Sequence, residues 1–405
     1  MHRFITSLEE LAEHPPRHLI LLYSGGVDGT YLLQRLQELG TTVTALNVRI
    51  GDPEPSATAA AQARLFGARF VDVDVTDRFF AEFAPAAVHA DALYQEQFPV
   101  GSTLTRPLMA QTAVRVAREH GADVIGHTAT YMQNSAIRLS GSIAALDPGI
   151  GIAAPFLGSD LPREAKLAAL RDVGVSFPEG IHSIDANPWA RVIECGSLES
   201  PENRLDESVF RWTRSVDEAP DDPVEIALTF EGGLPVALDD EPTAFGDLVN
   251  RLNELAGAHG VGRSSGLEDT PFGVKNHEVR EAPAATVVTK AHQVLANAVY
   301  TAHEHAVRGG IAREWTGTVV QGGWFSLLGE SLAKALADLD QPLTGTVRLR
   351  LHKGTLTVLS VASPNGLYYT RLGKAFHESM HEYSYTPWLT LATLPSRLRR
   401  FGDPE

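Results

Sequence analysis

The segment Tyr23-Ser24-Gly25-Gly26-Val27-Asp28-Gly29-Thr30 has the residue types of a phosphate-binding loop. Two adjacent glycines let the backbone turn tightly, and with no Cβ in the way successive N–H groups can close on an anion. A helix starting just beyond them would point its unpaired N–H groups and the positive end of its dipole at the same place. Ser24 and Thr30 are expected to add hydroxyl donors. Asp28 is the odd member, because a carboxylate repels phosphate; it is expected to help hold Mg²⁺ or to orient the loop. The Gly-Lys-Ser/Thr of a Walker A motif is missing, which argues against an enzyme that cleaves a γ-phosphate. The plainer account is a turn with two glycines for backbone reasons alone. Ser-Gly-Gly-x-Asp at a strand–helix junction is much rarer than such a turn.

Other patterns carry less. His377-Glu378-Ser379-Met380-His381 matches the H-E-x-x-H zinc motif, which on a helix would set both imidazoles on one face. No third ligand follows it, and a surface helix is the better reading. His303-Glu304-His305 is weaker still, since residues two apart on a helix diverge. The five tryptophans read as core or interface. The single cysteine, Cys195, can form neither an internal disulfide nor a Cys-x-x-Cys pair, so a reducing cytoplasm is the expected compartment.

The loop needs a strand before it and a helix after it, and the chain offers both. Residues 18–24 are an apolar run bounded by Pro15-Pro16 and Gly25-Gly26, and Gly29 to Leu39 has helical spacing ending at Gly40. Strands at Thr42 to Ile50 and Ala68 to Val75 follow, with a helix at Ala57 to Gly67 between them. A helix from Leu108 to Gly121 and a strand from Ala122 to His127 come next. This alternation predicts an α/β fold with a parallel, doubly wound sheet whose ligands sit at the carboxyl ends of its strands.

After about residue 176 the texture changes. Short alternating runs at 224–230, 347–354 and 355–362 predict antiparallel strands, the last two joined as a hairpin through Gly354. Helices are expected at 243–257 and 284–306, giving an α+β second domain. Asp217 to Asp222 reads as a solvated loop.

Bulk properties narrow the partners. With 405 residues the chain is long enough for two or three domains, and 43% hydrophobic content is that of a soluble protein. A net charge of −16 repels polyanions, and no Lys/Arg cluster tracks a phosphate backbone, so nucleic acid is not an expected partner. No run approaches the roughly 20 apolar residues of a membrane span. Small-molecule substrates remain.

Ser24-Gly25-Gly26-x-Asp28 is similar to the pyrophosphate (PP) loop of the N-type ATP pyrophosphatases, and within that group the chain resembles argininosuccinate synthase from end to end. Matching landmarks are Gly101 to Pro107, Thr130 to Arg138, Ser183 to Asn187, Ile193-Glu194-Cys195-Gly196, His259 to Arg263, and Glu268. The resemblance implies an adenine nucleotide alpha hydrolase-like ATP-binding domain (1–176), a synthetase domain (177–365) and a C-terminal oligomerisation segment (366–405), in a homotetramer or homodimer. It implies ATP and Mg²⁺, adenylation of an acceptor oxygen, displacement of AMP by an amine, and release of pyrophosphate. Such chemistry is mostly positioning and charge stabilisation, which is why no catalytic triad is required.

By the same resemblance ATP meets Leu22, Tyr23, Ser24, Gly25, Gly26, Asp28, Gly29 and Thr30, together with Val48 and Thr128. The acceptor meets Phe98, Thr103, Asn134, Arg138, Ser183, Val192, Glu268 and Arg280. The amine donor meets Thr130, Asn134 and Ser135. No metal ligand set from protein alone is implied.

The chain departs from the family at several of these positions. Phe98 replaces a Tyr, Val192 a Ser, Arg280 a Tyr and Ser135 an Asp, while Tyr131-Met132-Gln133 replaces Gly-Lys-Gly and the loop Ile50-Gly51-Asp52-Pro53 is altered. A buried ligand group left without its hydrogen bond costs about 1–3 kcal/mol. The expectation is therefore an AMP-forming C–N ligase with moved specificity, acting on a ureido, amide or carboxylate oxygen in secondary metabolism. The alternatives are a genuine argininosuccinate synthase of arginine biosynthesis, or a non-catalytic nucleotide-binding paralogue. A PP-loop tRNA-modifying enzyme fits poorly with one cysteine and this charge.

Overall fold

The computed structural model describes residues 4–401 apart from Pro53, Asp160, 178–182, 204–205, Pro271 and 372–383. The H-E-x-x-H pattern at 377–381 lies outside the described residues. They form two compact units, 1–365 and 366–405.

A six-stranded, wholly parallel sheet organises the first half, in the order Phe4–Ile5, Gly151–Ala153, Val124–Gly126, His18–Leu22, Thr42–Arg49, Arg69–Asp74. His18–Leu22 is central because Leu19, Ile20 and Leu21 are buried on both faces, which only a covered parallel strand needs. The chain leaves it on one side toward Thr42–Arg49 and returns on the other as Val124–Gly126. The sheet therefore switches direction between these two neighbours, and a crevice opens beyond their carboxyl ends. The predicted strands and helices of this half are all present. One boundary differs: the helix expected from Leu108 starts at Ser102 and runs through Pro107 to His120. Pro107 is the sixth residue of this helix and deprives the Thr103 carbonyl of one intrahelical bond, while Ser102 at the helix start is held from outside by Arg138, whose Nη1 donates to its Oγ at 2.7 Å.

The second half carries two antiparallel sheets. One has four strands in the order Arg263–Asp269, Lys275–Glu281, Ala190–Glu194, Ser183–Asn187. The other has five, Glu241–Pro242, Leu234–Leu238, Val224–Glu231, Gly345–His352 and Thr355–Ala362. The last two strands make the expected hairpin, with Lys353 and Gly354 both at positive φ (45° and 79°), as a tight two-residue turn demands. The helix expected over 284–306 is two helices, Pro283–Val299 and Ala302–Val320. Tyr300 is extended between them, and Thr301 caps the second helix with Glu304 in a capping box.

Under these helices lies a buried ionic cluster. Asp340 accepts from Arg308 Nε (2.6 Å), His89 Nδ1 (2.9 Å) and Tyr300 Oη (3.0 Å), and Asp91 accepts from Arg308 Nη1 and His292 Nδ1. Burial works against a charged His292, but Asp91 and Asp340 outweigh it and raise the imidazole to about 9. In the second unit the helix Thr386–Phe401 exposes Trp388 and Leu391. No helix among the described residues is long and apolar enough to cross a membrane.

Candidate active site

The phosphate loop follows the central strand. Tyr23 still belongs to the sheet, its N–H donating to Leu46 O at 2.8 Å. The chain then turns at Gly25, whose φ of +84° suits glycine, and where a Cβ would come within 2.8 Å of the Ala59 Cβ. Gly26 caps the helix Val27–Glu38 with no side-chain bond to the first N–H groups, so those donors stay open. A Cβ on Gly26 would meet nothing closer than Ser24 Oγ at 3.8 Å. The room above it is the room an anion would use.

One expected donor is committed elsewhere. The Thr30 hydroxyl donates to Gly26 O at 2.8 Å and sits 2.9 Å from the Tyr23 hydroxyl, which itself donates to Gln62 Oε1 at 3.0 Å. Thr30 therefore holds the loop's shape and does not offer its hydroxyl to a phosphate. Asp28 is not bare either, because Lys166 Nζ lies 2.6 Å from its Oδ1.

The loop forms one wall of a cleft of about 830 Å³. Of the expected nucleotide residues, Leu22, Tyr23, Ser24, Gly26, Asp28 and Gly29 line it, with Val48 and Thr128 from the ends of neighbouring strands. Asn134, Ser135, Arg138, Ser183, Val192, Glu268 and Arg280 line it from the other side. Gly25, Thr30, Phe98, Thr103 and Thr130 do not reach its surface. Phe98 and Thr103 are buried behind the wall, and the Thr130 N–H is bonded to Gln133 Oε1.

The acceptor side is a buried lattice of charges. Arg138 uses all three nitrogens within the protein: Nε donates to Val320 O (2.9 Å), Nη1 to Ser102 Oγ and Nη2 to Glu268 Oε1 (2.9 Å). It is committed to buttressing the pocket, with its carboxylate partner supplied by the protein's own Glu268. Arg280 is held by Glu278, and its guanidinium lies 3.8 Å from the centre of the Phe98 ring. Its Nε and Nη1 are buried with no acceptor. Strand register explains the choice of partner. Arg280 stands opposite Ser264 while Glu268 stands opposite Asn276, whereas Glu278, two residues along the same strand, shares its face.

Burial sets the protonation of these carboxyls. It raises Glu278 to about 8, with Arg280 opposing, and it raises Glu194 as well. Burial acts the same way on Glu268, but Arg138 and Arg280 beside it win and hold that carboxyl low. Asn276 Nδ2 bridges Glu194 and Glu278 at 3.0 and 3.2 Å. Near the phosphate end, burial lowers His127 to about 4, so it is neutral at physiological pH. Arg106 donates to Asp185 Oδ2 (2.7 Å) and to Ser135 Oγ (3.1 Å). Ser135 thus takes a hydrogen bond from an arginine where the family has a carboxylate.

Several of these residues are missing from the sequence-derived set. Arg106, Asp185 and Glu194 sit inside quoted landmarks, and only the pocket shows that they face it. Glu278 could have been found from its i, i+2 relation to Arg280 on a strand. Lys166 has no sequence signal at all. Among the described residues no group of three or more His, Cys, Asp or Glu could hold a metal ion.

A glycine-turn anion cradle at the switch point of a parallel sheet, facing a charged substrate pocket, defines a nucleotide-activating enzyme of the PP-loop class. The comparisons with known proteins resolve the family. Residues 18–176 match the model of the arginosuccinate synthase N-terminal HUP domain, and residues 182–396 match that of the arginosuccinate synthase C-terminal domain. The argininosuccinate synthase of Rubrobacter xylanophilus is 34% identical over 394 residues, covering 96% of each chain. That of Pyrococcus furiosus is 35% identical over 352 residues, 86% of each, and that of Hyperthermus butylicus 36% over 355 residues, 86% of this chain and 89% of the relative. The chain belongs to the argininosuccinate synthase family, and it is an ATP-dependent, AMP-forming C–N ligase. These relatives lend no support to the expected place in secondary metabolism; they favour the genuine synthase instead.

Proposed function

We propose that the chain carries out the argininosuccinate synthase reaction, joining the ureido carbon of citrulline to the amine of aspartate with release of AMP and pyrophosphate. The observation that carries this reading is similarity over nearly the whole chain to proteins named for that reaction, with the anion cradle at Gly25-Gly26 intact. In this reading the open N–H groups at the start of the helix Val27–Glu38 hold the ATP phosphates. Val48 and Thr128 border the base and ribose, and Asn134 reaches both the acceptor and the donor. Magnesium, when bound, would supply charge neutralisation on the phosphates. It would arrive with the nucleotide, since Lys166 already engages Asp28. A cytoplasmic homotetramer belongs to the same reading, on the strength of the family and the lone cysteine.

A second reading, in which the acceptor is not citrulline, rests on Phe98, Val192 and Arg280. The pocket wall carries a cation at Arg280 and an apolar side chain at Val192, with Phe98 buried behind them, where the family presents hydroxyls. One experiment separates the two: incubation with ATP, citrulline and aspartate, with AMP, pyrophosphate and argininosuccinate each quantified. The first reading expects all three products. ADP and phosphate as the only nucleotide products would overturn the ligase chemistry itself. AMP formed with another acceptor, and none with citrulline, would establish the second reading.

A further inference from the structure

The phosphate loop contains a carboxylate at the place where a polyanion is expected to dock, and the structure shows how that charge is cancelled. Asp28 lies in the first turn of the helix Val27–Glu38, its side chain about one-third exposed (35%) toward the cleft. Lys166, on the helix Arg163–Asp172 packed against it, puts Nζ 2.6 Å from Asp28 Oδ1. The lysine side chain is only 7% exposed, and its ammonium lies 4.6 Å from the centre of the buried Phe156 ring. A buried ammonium is costly to desolvate and persists only against a partner, here one carboxylate and one aromatic face.

Apart from Arg280 on the acceptor side, the cleft supplies little spare positive charge. Arg49 is taken by Asp72 and Asp74, Arg106 by Asp185, and Arg138 by Glu268. The loop Thr128 to Gln133 contains no lysine or arginine. Arg163, one turn before Lys166 on the same helix, lines the cleft with no ion pair among the described residues.

We infer that Lys166 is a positioning residue for ATP: by neutralising Asp28 from behind the loop, it lets the open N–H groups and Arg163 act on the polyphosphate without an opposing charge. The inference rests on the reading that ATP phosphates occupy the Ser24–Thr30 loop. The competing account is that Lys166 merely staples two helices.

The experiment is ATP binding by calorimetry on the full-length protein, without acceptor, at low and high salt. Wild type and Gly26→Val test the loop reading first: ATP must bind to wild type and be lost in Gly26→Val, and any other result removes the foundation. Lys166→Met keeps the aliphatic stem, and Lys166→Gln keeps a hydrogen-bond donor for Asp28 but no charge. Both should weaken ATP about tenfold or more at low salt, while Lys166→Arg stays within about threefold of wild type. The ratio of variant to wild-type Kd should shrink as salt rises, because screening lengths fall from about 30 Å at 0.01 M to about 10 Å at 0.1 M. Acceptor affinity should be unchanged. A lowered Tm with ATP affinity within twofold of wild type, in either Lys166→Met or Lys166→Gln, would reduce Lys166 to a staple and end the inference.

Discussion

Arg280 offers the sharpest test of how this pocket reads its acceptor. Its guanidinium is 5% exposed, stacked on Phe98 and held by Glu278, while Nε and Nη1 have no acceptor. Burial raises the Glu278 carboxyl to about 8, so near pH 7 Arg280 shares the ionised Glu268 with Arg138, one carboxylate for two guanidiniums. An arginine in that condition calls for an anion, and citrulline carries one in its α-carboxylate. A charged hydrogen bond contributes about 1.5–3 kcal/mol. At 1.36 kcal/mol per decade, Arg280→Tyr should raise the acceptor Kd roughly 13- to 160-fold. Glu278 is not stranded by the change: without Arg280 its carboxyl moves further up and stays neutral.

The assay is a two-by-two comparison of wild type and Arg280→Tyr against citrulline and its α-carboxamide, by steady-state kinetics with AMP as the readout. If Arg280 grips the carboxylate, the substitution costs citrulline the full factor and the carboxamide almost nothing. The two changes then share one interaction energy, as a double-mutant cycle requires. Arg280→Tyr equal to or better than wild type on citrulline would refute the reasoning. Arg280 would then be a cation neutralised within the wall, with the family's tyrosine the better residue for the reaction.

Four further outcomes follow. Gly26→Val should abolish ATP binding with Tm within a few degrees of wild type, since its new side chain enters open space and not the core; calorimetry and thermal melts check it together. Acceptor affinity should fall as pH rises through about 8, because ionised Glu278 then competes for Arg280, and Glu278→Gln should flatten that profile in KM. The same raised carboxyl predicts a stability contribution present in full below its ordinary value near 4.5 and lost as pH rises through about 8, which urea midpoints across that window would show. Asp340→Asn should destabilise the fold by about 3–5 kcal/mol by leaving Arg308 and His292 short of a counter-charge, read as a lowered urea midpoint, without altering ATP affinity.

Local signals carried the nucleotide half of this protein and failed where the pocket is assembled from distant strands. The glycine pair, the apolar run before it and the helical spacing after it are contiguous, so loop, strand and helix could be read together. The break at Tyr300 was equally local, since Thr301-x-x-Glu304 is a capping-box signature, but an unbroken apolar period across it masked the stop. Arg138 shows the opposite case. Its residue type and landmark position point to ligand recognition, yet each of its three nitrogens donates within the protein, to Val320, Ser102 and Glu268, and two of these lie 182 and 130 residues away in sequence. Lys166 is the extreme, the lone lysine of an amphipathic helix with nothing to mark it until the fold sets it beside Asp28, 138 residues earlier. Charge pairing across such separations is decided by the packing of whole helices and sheets. In this protein it therefore decides which of the pocket's arginines remain available to a substrate: Arg280 keeps two nitrogens without an acceptor, and Arg163 has no ion pair among the described residues.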